Sequence, residues 1–224
     1  MKHITDYIKT HKYCLLLLYW PVHTLWYEIL RIAYAEKDGL LIRCALDDRI
    51  PFCEWFVIPY CIWYLYIAAV LLYTLIHSKR DFIRTTALMC LCMILPMLFC
   101  TFVPNGIPAD MRPDFEALGR NNPAIWAVKQ IYAADTPPRS CMPSMHVSVA
   151  FAIFFSVLRA ESLRGRRAVK SICGVLSVLI SLSTVFIKQH SVLDVAAGTA
   201  TAAVVFAAVS LAERVYNKKQ KKSA

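Results

Sequence analysis

The chain has 224 residues, 58% of them hydrophobic, and a mean hydropathy of +0.49. A soluble domain is typically about 45–50% apolar, so this composition excludes an ordinary soluble domain and indicates an integral membrane protein. The formal net charge of +10 is spread over short loops and tails, where topology and anionic lipid explain it, which argues against a nucleic-acid partner.

Six apolar runs predict membrane-spanning helices. A spanning helix needs roughly 17–25 mostly apolar residues, and five of the runs reach that length, whereas 145–158 must borrow flanking residues. We therefore expect an all-α fold, a six-transmembrane-helix bundle that forms a single integral membrane domain over residues 1–224. The runs are 14–34, 52–76, 85–103, 145–158, 169–187 and 192–211.

The stretch 104–142 is the longest part of the chain without a predicted span. It opens and closes with turn-forming sequence, and its apolar residues alternate irregularly with polar ones. This pattern predicts short interfacial helices on the outer face, above the ends of the spans. The five tryptophans fit interfacial belts: Trp20, Trp26, Trp55, Trp63 and Trp126.

The distribution of basic residues predicts the orientation of the bundle. One side carries 16 of the 25 Lys and Arg residues, Lys2 and Lys9 of the N-terminal tail among them, and the other side carries eight. Positive charge stays cytoplasmic in multi-pass proteins. We therefore expect a plasma- or inner-membrane protein with both termini in the cytoplasm.

The cysteines of the predicted outer face leave one question open. Cys44, Cys53 and Cys141 lie near that face, and a disulfide among them is an open alternative in an oxidising compartment. None of the nine cysteines has the spacing of a metal-binding pair.

Two polar clusters, 143–146 and 183–194, interrupt the apolar sequence where hydrophobic segments begin or end. Ionisable groups at such positions are costly, so the clusters indicate a functional site on the outer face. Ser144 is predicted to be a helix N-cap, with its hydroxyl and the following backbone N–H groups pointing outward, and such a helix end binds anions. His146 would then point at the bound anion.

The second cluster contains a histidine and an aspartate with helical spacing. His190 and Asp194 are four residues apart, so on a helix Asp194 can accept the Nδ1 proton and leave Nε2 of His190 free as a nucleophile. Arg112 and Lys188 place cations on the same face. These groups, with His146 for acid–base work, describe metal-free phosphoryl transfer. The alternatives are ordinary interfacial polar groups and a His/His/Asp metal site, which the two cations argue against.

These residues resemble the motifs of the type 2 phosphatidic acid phosphatase superfamily of lipid phosphatases and phosphotransferases. The family motifs read Lys-x6-Arg-Pro, Pro-Ser-Gly-His and Ser-Arg-x5-His-x3-Asp, and the resemblance covers roughly residues 100–200. The matching segments, in the same order, are Arg112-Pro113, Pro143-Ser144-Met145-His146 and Ser183-Thr184-x5-His190-x3-Asp194.

The resemblance implies a role for each matching residue. His190 would attack phosphorus and form a phosphohistidine, Asp194 would orient it, and His146 would protonate the leaving group. Arg112 and Ser144 would hold phosphate oxygens, with no metal or cofactor.

Two phosphate-binding cations of the family are missing from their usual places. The Lys of the first motif falls on Asn105, and the Arg of the third motif falls on Thr184. Lys188 is a candidate replacement, although positions i and i+2 do not share a helical face, so it would need a non-helical approach to His190.

We therefore expect a metal-independent phosphatase of a lipid phosphomonoester or diphosphate at the outer leaflet, with the lipid substrate and membrane lipids as its partners. Two alternatives remain: a lipid phosphotransferase resembling the sphingolipid synthases, and a non-catalytic lipid-phosphate binder or carrier on a decayed site. The lipid and the oligomeric state are left open.

The orientation can be tested with single cysteines in a cysteine-free background. Arg120→Cys should react with an impermeant thiol reagent in intact cells, because 104–142 is expected to face outward, whereas Arg166→Cys should not. Labelling at position 166 alone would invert the orientation and place both clusters in the cytoplasm.

Overall fold

The computed structural model describes residues 12–37 and 39–223, and within them helices dominate. Two short strands, β1 (Leu40–Leu41) and β2 (Asn105–Gly106), pair in parallel. The helices are α1 (Tyr19–Ala33), α2 (Ala45–Arg49), α3 (Val57–His77), α4 (Lys79–Phe102), α5 (Phe115–Leu118), α6 (Pro123–Ala134), α7 (Met145–Arg159), α8 (Arg167–Phe186) and α9 (Val192–Ser223). Short 3-10 helices cover Lys12–Leu18, Glu54–Phe56, Ala109–Met111 and Glu161–Leu163.

Four helices of the described residues are long and apolar enough to cross a membrane: α3 with its preceding turn, α4, α8 and α9. The all-α prediction is confirmed, whereas the six spans are not. α7 has 15 residues, which at 1.5 Å per residue extends about 22 Å, less than a hydrocarbon core of about 30 Å. The first run is a 3-10 helix followed by the 15-residue α1, because Pro21 cannot donate the bond that would continue an α-helix toward Leu17.

The 15-residue helix α7 lies at the centre of the molecule. It packs against α4, α8 and α9. Val147, Ala150 and Ile153 are fully buried, and Ala152 lies beside them in the same core. Small and β-branched side chains on several faces let three neighbours approach one helix. The first turn of α7, with His146, therefore begins inside the bundle.

The stretch 104–142 forms the short helices that its sequence predicts. α6 packs over the beginning of α3, where Val128 and Tyr132 bury themselves against Val57 and Ile187. The Tyr132 hydroxyl donates to the carbonyl of Ile187 at 2.6 Å. This stretch thus forms a roof over the turn that follows α8.

Ion pairs collect at the opposite end of the bundle. The buried carboxylate of Asp81 accepts from both the backbone N–H and the hydroxyl of Ser162. Arg84 and Arg159 converge on Glu213 of α9. The cationic loops 77–84 and 159–170 meet here, while the predicted N-terminal cations Lys2 and Lys9 lie outside the described residues.

The expected outer-face cysteines do not pair. Cys44, Cys53 and Cys141 are free thiols, and Cys141 is buried. No disulfide therefore joins these three cysteines in this structure.

The starts of α7 and α9 meet at a glycine. A Cβ added at Gly198 would lie 2.6 Å from the Ser144 carbonyl oxygen and 3.1 Å from Cβ of Val147. The Ser144 N–H donates to the carbonyl oxygen of Asp194 at 3.1 Å. This close approach joins the two polar clusters of the sequence.

Adding one methyl group at this junction should separate the two helix starts. Gly198→Ala should destabilise the protein by about 1–3 kcal/mol, because the nearest atom is backbone and cannot rotate away. Gly174→Ala is the matched control, since its added Cβ meets only the Phe154 ring, at 3.0 Å. Thermal unfolding in detergent compares the two. A melting temperature of the Gly174→Ala variant equal to or lower than that of the Gly198→Ala variant would contradict a tight junction.

Candidate active site

The two sequence clusters open into one cavity of about 390 Å³. His146 and His190 line it, and its other walls come from α1, α3, the end of α6 and the loop 139–141. An apolar groove of about 660 Å³ between α3 and α8 contains none of the predicted site residues. The other residues of the cavity wall include Tyr27, Glu28, Tyr60, Trp63, Asp135, Arg139 and Gln189.

His190 is held by Asp194, as the four-residue spacing predicts. Nδ1 of His190 lies 3.2 Å from Oδ2 of Asp194. His190 lies in the turn before α9 rather than on a helix, and its N–H donates to the Thr184 carbonyl at 3.0 Å. The same Asp194 oxygen accepts from the Ser191 N–H at 2.9 Å and so closes a capping interaction at the start of α9.

His146 lies opposite His190 and is enclosed by aromatic rings. The two imidazole centroids are 6.0 Å apart, and the Tyr60 and Trp63 rings each lie 4.6 Å from His146. Trp63 is 1% exposed, so its assignment to an interfacial belt is wrong: it packs in the bundle core between Trp20 of α1 and His146. Packing on both sides fixes the direction in which His146 faces.

Ser144 occupies the predicted N-cap position of α7 without the predicted outward hydroxyl. It has extended backbone geometry and makes no side-chain cap bond, and it is fully buried because α9 covers it. Its Oγ has no hydrogen-bond partner among the described residues. The same is true of Nε2 of His146 and Oδ1 of Asp194. Buried polar atoms are normally paired, and of these three residues His146 lines the cavity, so its Nε2 can meet a polar ligand there.

Arg112 reaches the edge of the site through two neighbours. Its guanidinium donates to the Asp135 carboxylate at 2.8 Å and to the Gln189 side chain at 3.2 Å, and it stacks on Tyr132. Burial raises the pKa of the Asp135 carboxyl above its ordinary value, although the hydrogen bond from Tyr27 and the Arg112 charge oppose this. Arg112 thus contacts the residue that precedes His190, and most of its N–H donors are engaged in these interactions.

Lys188 does not face the cavity, and its prediction as a phosphate ligand needs correction. Its ammonium donates to the carbonyls of Asp47 at 2.7 Å and Ile50 at 2.6 Å. The residue has a φ of 54°, a left-handed conformation that turns the side chain toward the α2 loop. Burial lowers the pKa of the Lys188 ammonium, while the charges of Asp47 and Asp48 act against that decrease.

Asn105 and Thr184, which stand where the family has cations, have structural contacts. The Asn105 side chain accepts from the N–H groups of Cys141 and Met142 at 2.9 and 2.8 Å, directly before the first cluster. The Thr184 hydroxyl bonds back to its own helix at Ser181. Neither position supplies a positive charge.

Asp47 is a buried positioning residue that the sequence does not reveal. Its carboxylate accepts from the Ser191 hydroxyl at 2.6 Å and from the Val192 N–H at 2.8 Å, and so holds the turn that carries His190. Burial acts to raise the pKa of this carboxyl, but hydrogen bonds from Ser191, Val192 and Cys44 outweigh it and leave the pKa below its ordinary value. The only local signal is an acidic pair, Asp47-Asp48, between Arg43 and Arg49.

Comparison with known proteins identifies one match. The family model described as the PAP2 superfamily covers residues 40–208, which is most of the chain and extends beyond the segment of about 100–200 that the motifs indicate. It includes α2, with Asp47, as well as both histidine clusters. No curated protein and no solved structure matches the chain significantly.

Loss of the Asp47 carboxylate should disturb the chemistry at a distance. Asp47→Ala should lower kcat for phosphoryl transfer on the order of 10²-fold, because the turn with His190 loses two anchors and shifts from its productive geometry. Asp48→Ala is the matched control, since Asp48 pairs with Arg43 at the surface. Turnover of p-nitrophenyl phosphate measures both variants, and equal rates would exclude the positioning role.

Proposed function

The chain belongs to the PAP2 superfamily, and on that premise we propose that it is a membrane-embedded phosphatase of lipid phosphates. Membership suggests phosphatase-type activity. The observation that carries the proposal is the set of unpartnered polar atoms on Ser144 and His146, beside a His190 whose Nδ1 is already held by Asp194. Such a set suits an anionic, tetrahedral group placed between two histidines.

The proposed reaction has two steps. Nε2 of His190 attacks phosphorus and forms an N–P bond as the bond to the lipid oxygen breaks, while His146 gives that oxygen a proton. Water then attacks the phosphohistidine, passes a proton to His146 and releases inorganic phosphate, and His190 is regenerated. Asp194 stabilises the positive imidazole throughout. These steps need no metal, since Arg112, Ser144 and the α7 N-terminus would meet the phosphate charge.

A lipid phosphotransferase is the second candidate. The absence of cations at Asn105 and Thr184 leaves reduced motifs, which also occur in the branches that resemble sphingolipid synthases, although the same absence favours the non-catalytic binder. In this reaction a lipid hydroxyl takes the place of water in the second step. A non-catalytic binder or carrier is the third reading, and an intact His190–Asp194 pair argues against it, since binding alone requires no oriented nucleophile.

For the membrane arrangement, we propose that α1 with its preceding 3-10 helix, and α7 with its flanks, complete a six-pass bundle. Both termini would then be cytoplasmic and the histidine cavity would open at the outer leaflet. The roof formed by 104–142 would lie at the outer lipid headgroups.

Phosphate release by the purified protein in detergent tests the function directly. A panel of lipid monophosphates and diphosphates is assayed in excess EDTA, with a lipid alcohol present and absent. Release in EDTA without an acceptor supports the phosphatase, and release that requires the alcohol, with transfer to it, supports the phosphotransferase. Activity that disappears with EDTA and returns with Mg²⁺ or Zn²⁺ would overturn the metal-free mechanism. If no lipid phosphate of the panel is turned over, the non-catalytic binder or carrier is the remaining alternative.

The two histidines should respond differently to the leaving group. His190→Ala should be inactive on every substrate and form no phosphoenzyme, and Asp194→Asn should lose on the order of 10²–10⁴ in rate. His146→Ala should keep much more activity on p-nitrophenyl phosphate than on an alkyl phosphate, because a good leaving group needs little protonation. Equal losses for the two histidine variants on both substrates would contradict these roles. A fully active His190→Ala variant would exclude His190 as the nucleophile.

A further inference from the structure

One guanidinium on the cavity wall has no anionic partner. Arg139 is the single Lys or Arg among the described residues that line the cavity with His146 and His190. Its Nε donates to the Tyr34 carbonyl oxygen at 3.3 Å, and its two Nη groups have no hydrogen-bond or ion-pair partner within the described chain. A partly buried cation without a counter-charge is costly unless an anion meets it.

The acidic groups of the same cavity are already neutralised. Glu28 pairs with Arg31 at 2.7 Å, and Asp135 pairs with Arg112 at 2.8 Å. Neither carboxylate is paired with Arg139. The cavity therefore presents one unbalanced positive charge near two histidines.

Three other cations of this end of the molecule, Arg43, Arg120 and Lys188, are bound outside the cavity. Arg43 pairs with Asp48 and Asp110, and Arg120 pairs with Glu54. Lys188 is bound to backbone carbonyls, as described above. These groups have no free donors directed at the cavity.

The backbone around Arg139 is held firmly in place. Arg139 bridges to Gly106, whose added Cβ would lie 2.2 Å from the Pro138 carbonyl oxygen, so only glycine fits there. The next residue, Ser140, has a φ of 57° and donates its N–H to the Asn105 carbonyl at 2.7 Å. Arg139 thus lies beside the position at which the motif lysine is missing.

We propose that Arg139 binds the phosphoryl oxygens of the substrate through its Nη groups and supplies from the loop 139–141 the charge that Asn105 does not. This inference rests on the proposed function of the site. The ligand it predicts is a phosphate monoester or diphosphate dianion, which the planar guanidinium meets with two parallel donors.

Binding of orthovanadate to the full-length protein in detergent tests the assignment without requiring turnover. The dissociation constant is obtained from the shift in melting temperature with vanadate concentration, alongside KM and kcat for p-nitrophenyl phosphate. Arg139→Gln should weaken vanadate binding and raise KM by about 10- to 100-fold, the effect of losing hydrogen bonds to a charged group. Arg139→Lys should recover part of the loss as a point charge, and Arg43→Gln, at an exposed pair outside the cavity, should change neither constant.

The outcomes separate this proposal from the function of the site. A wild-type protein that binds vanadate through Arg139 but releases no phosphate would overturn the phosphatase and leave the anion site. If the wild-type protein releases phosphate and Arg139→Gln has an unchanged dissociation constant for vanadate, the anion site alone is overturned. A lower melting temperature of Arg139→Gln without vanadate would assign Arg139 a structural role. A wild-type protein without vanadate binding would overturn both.

Discussion

The junction between the start of α7 and the start of α9 is the constraint on which the site depends. One oxygen of Asp194 holds both His190 and the Ser191 N–H, and the Asp194 carbonyl accepts from Ser144. Gly198 lets the two backbones come this close. Asp47 then fixes the same turn from the opposite side. The His190–Asp194 pair is therefore part of the interaction that starts the last helix, and its geometry follows from helix packing.

Buried ion pairs and ionisable side chains lie at the two ends of the bundle. At one end are the histidines with their carboxylates, and at the other Arg84 and Arg159 share Glu213. In lipid an unpaired polar group costs several kcal/mol, so such groups are expected to satisfy one another or to serve a site. Of the buried side-chain atoms without a hydrogen bond among the described residues, one belongs to Glu213 at the arginine end, whereas those of Ser144, His146 and Asp194 lie at the histidine end.

The sequence predicted the parts of this arrangement that are local. The His190–Asp194 contact, the N-cap position of Ser144 and the short helices of 104–142 all depend on spacings of a few residues. The prediction that Lys188 binds phosphate was wrong because Lys188 itself has a left-handed backbone conformation, which turns its side chain away from the cavity. The residue type alone does not reveal this conformation. Trp63, Asp47 and Arg139 were missed or misread since their partners lie far away in the chain: Asp47 meets Ser191 across 144 positions. Long-range packing decides such residues.

The first helix gives the cavity a thin wall toward the surrounding membrane. Tyr27 and Glu28 of α1 line the cavity, while Leu25, Ile29 and Ile32 are more than half exposed on the same helix. Among the larger helices, α1 packs mainly against α4. The barrier between acyl chains and the two histidines is thus a single helix wide. For the lipid phosphate proposed above, the headgroup would reach the histidines from the side of α1 while the acyl chains stayed in the bilayer, so binding would not include the free energy of extracting the lipid from the membrane.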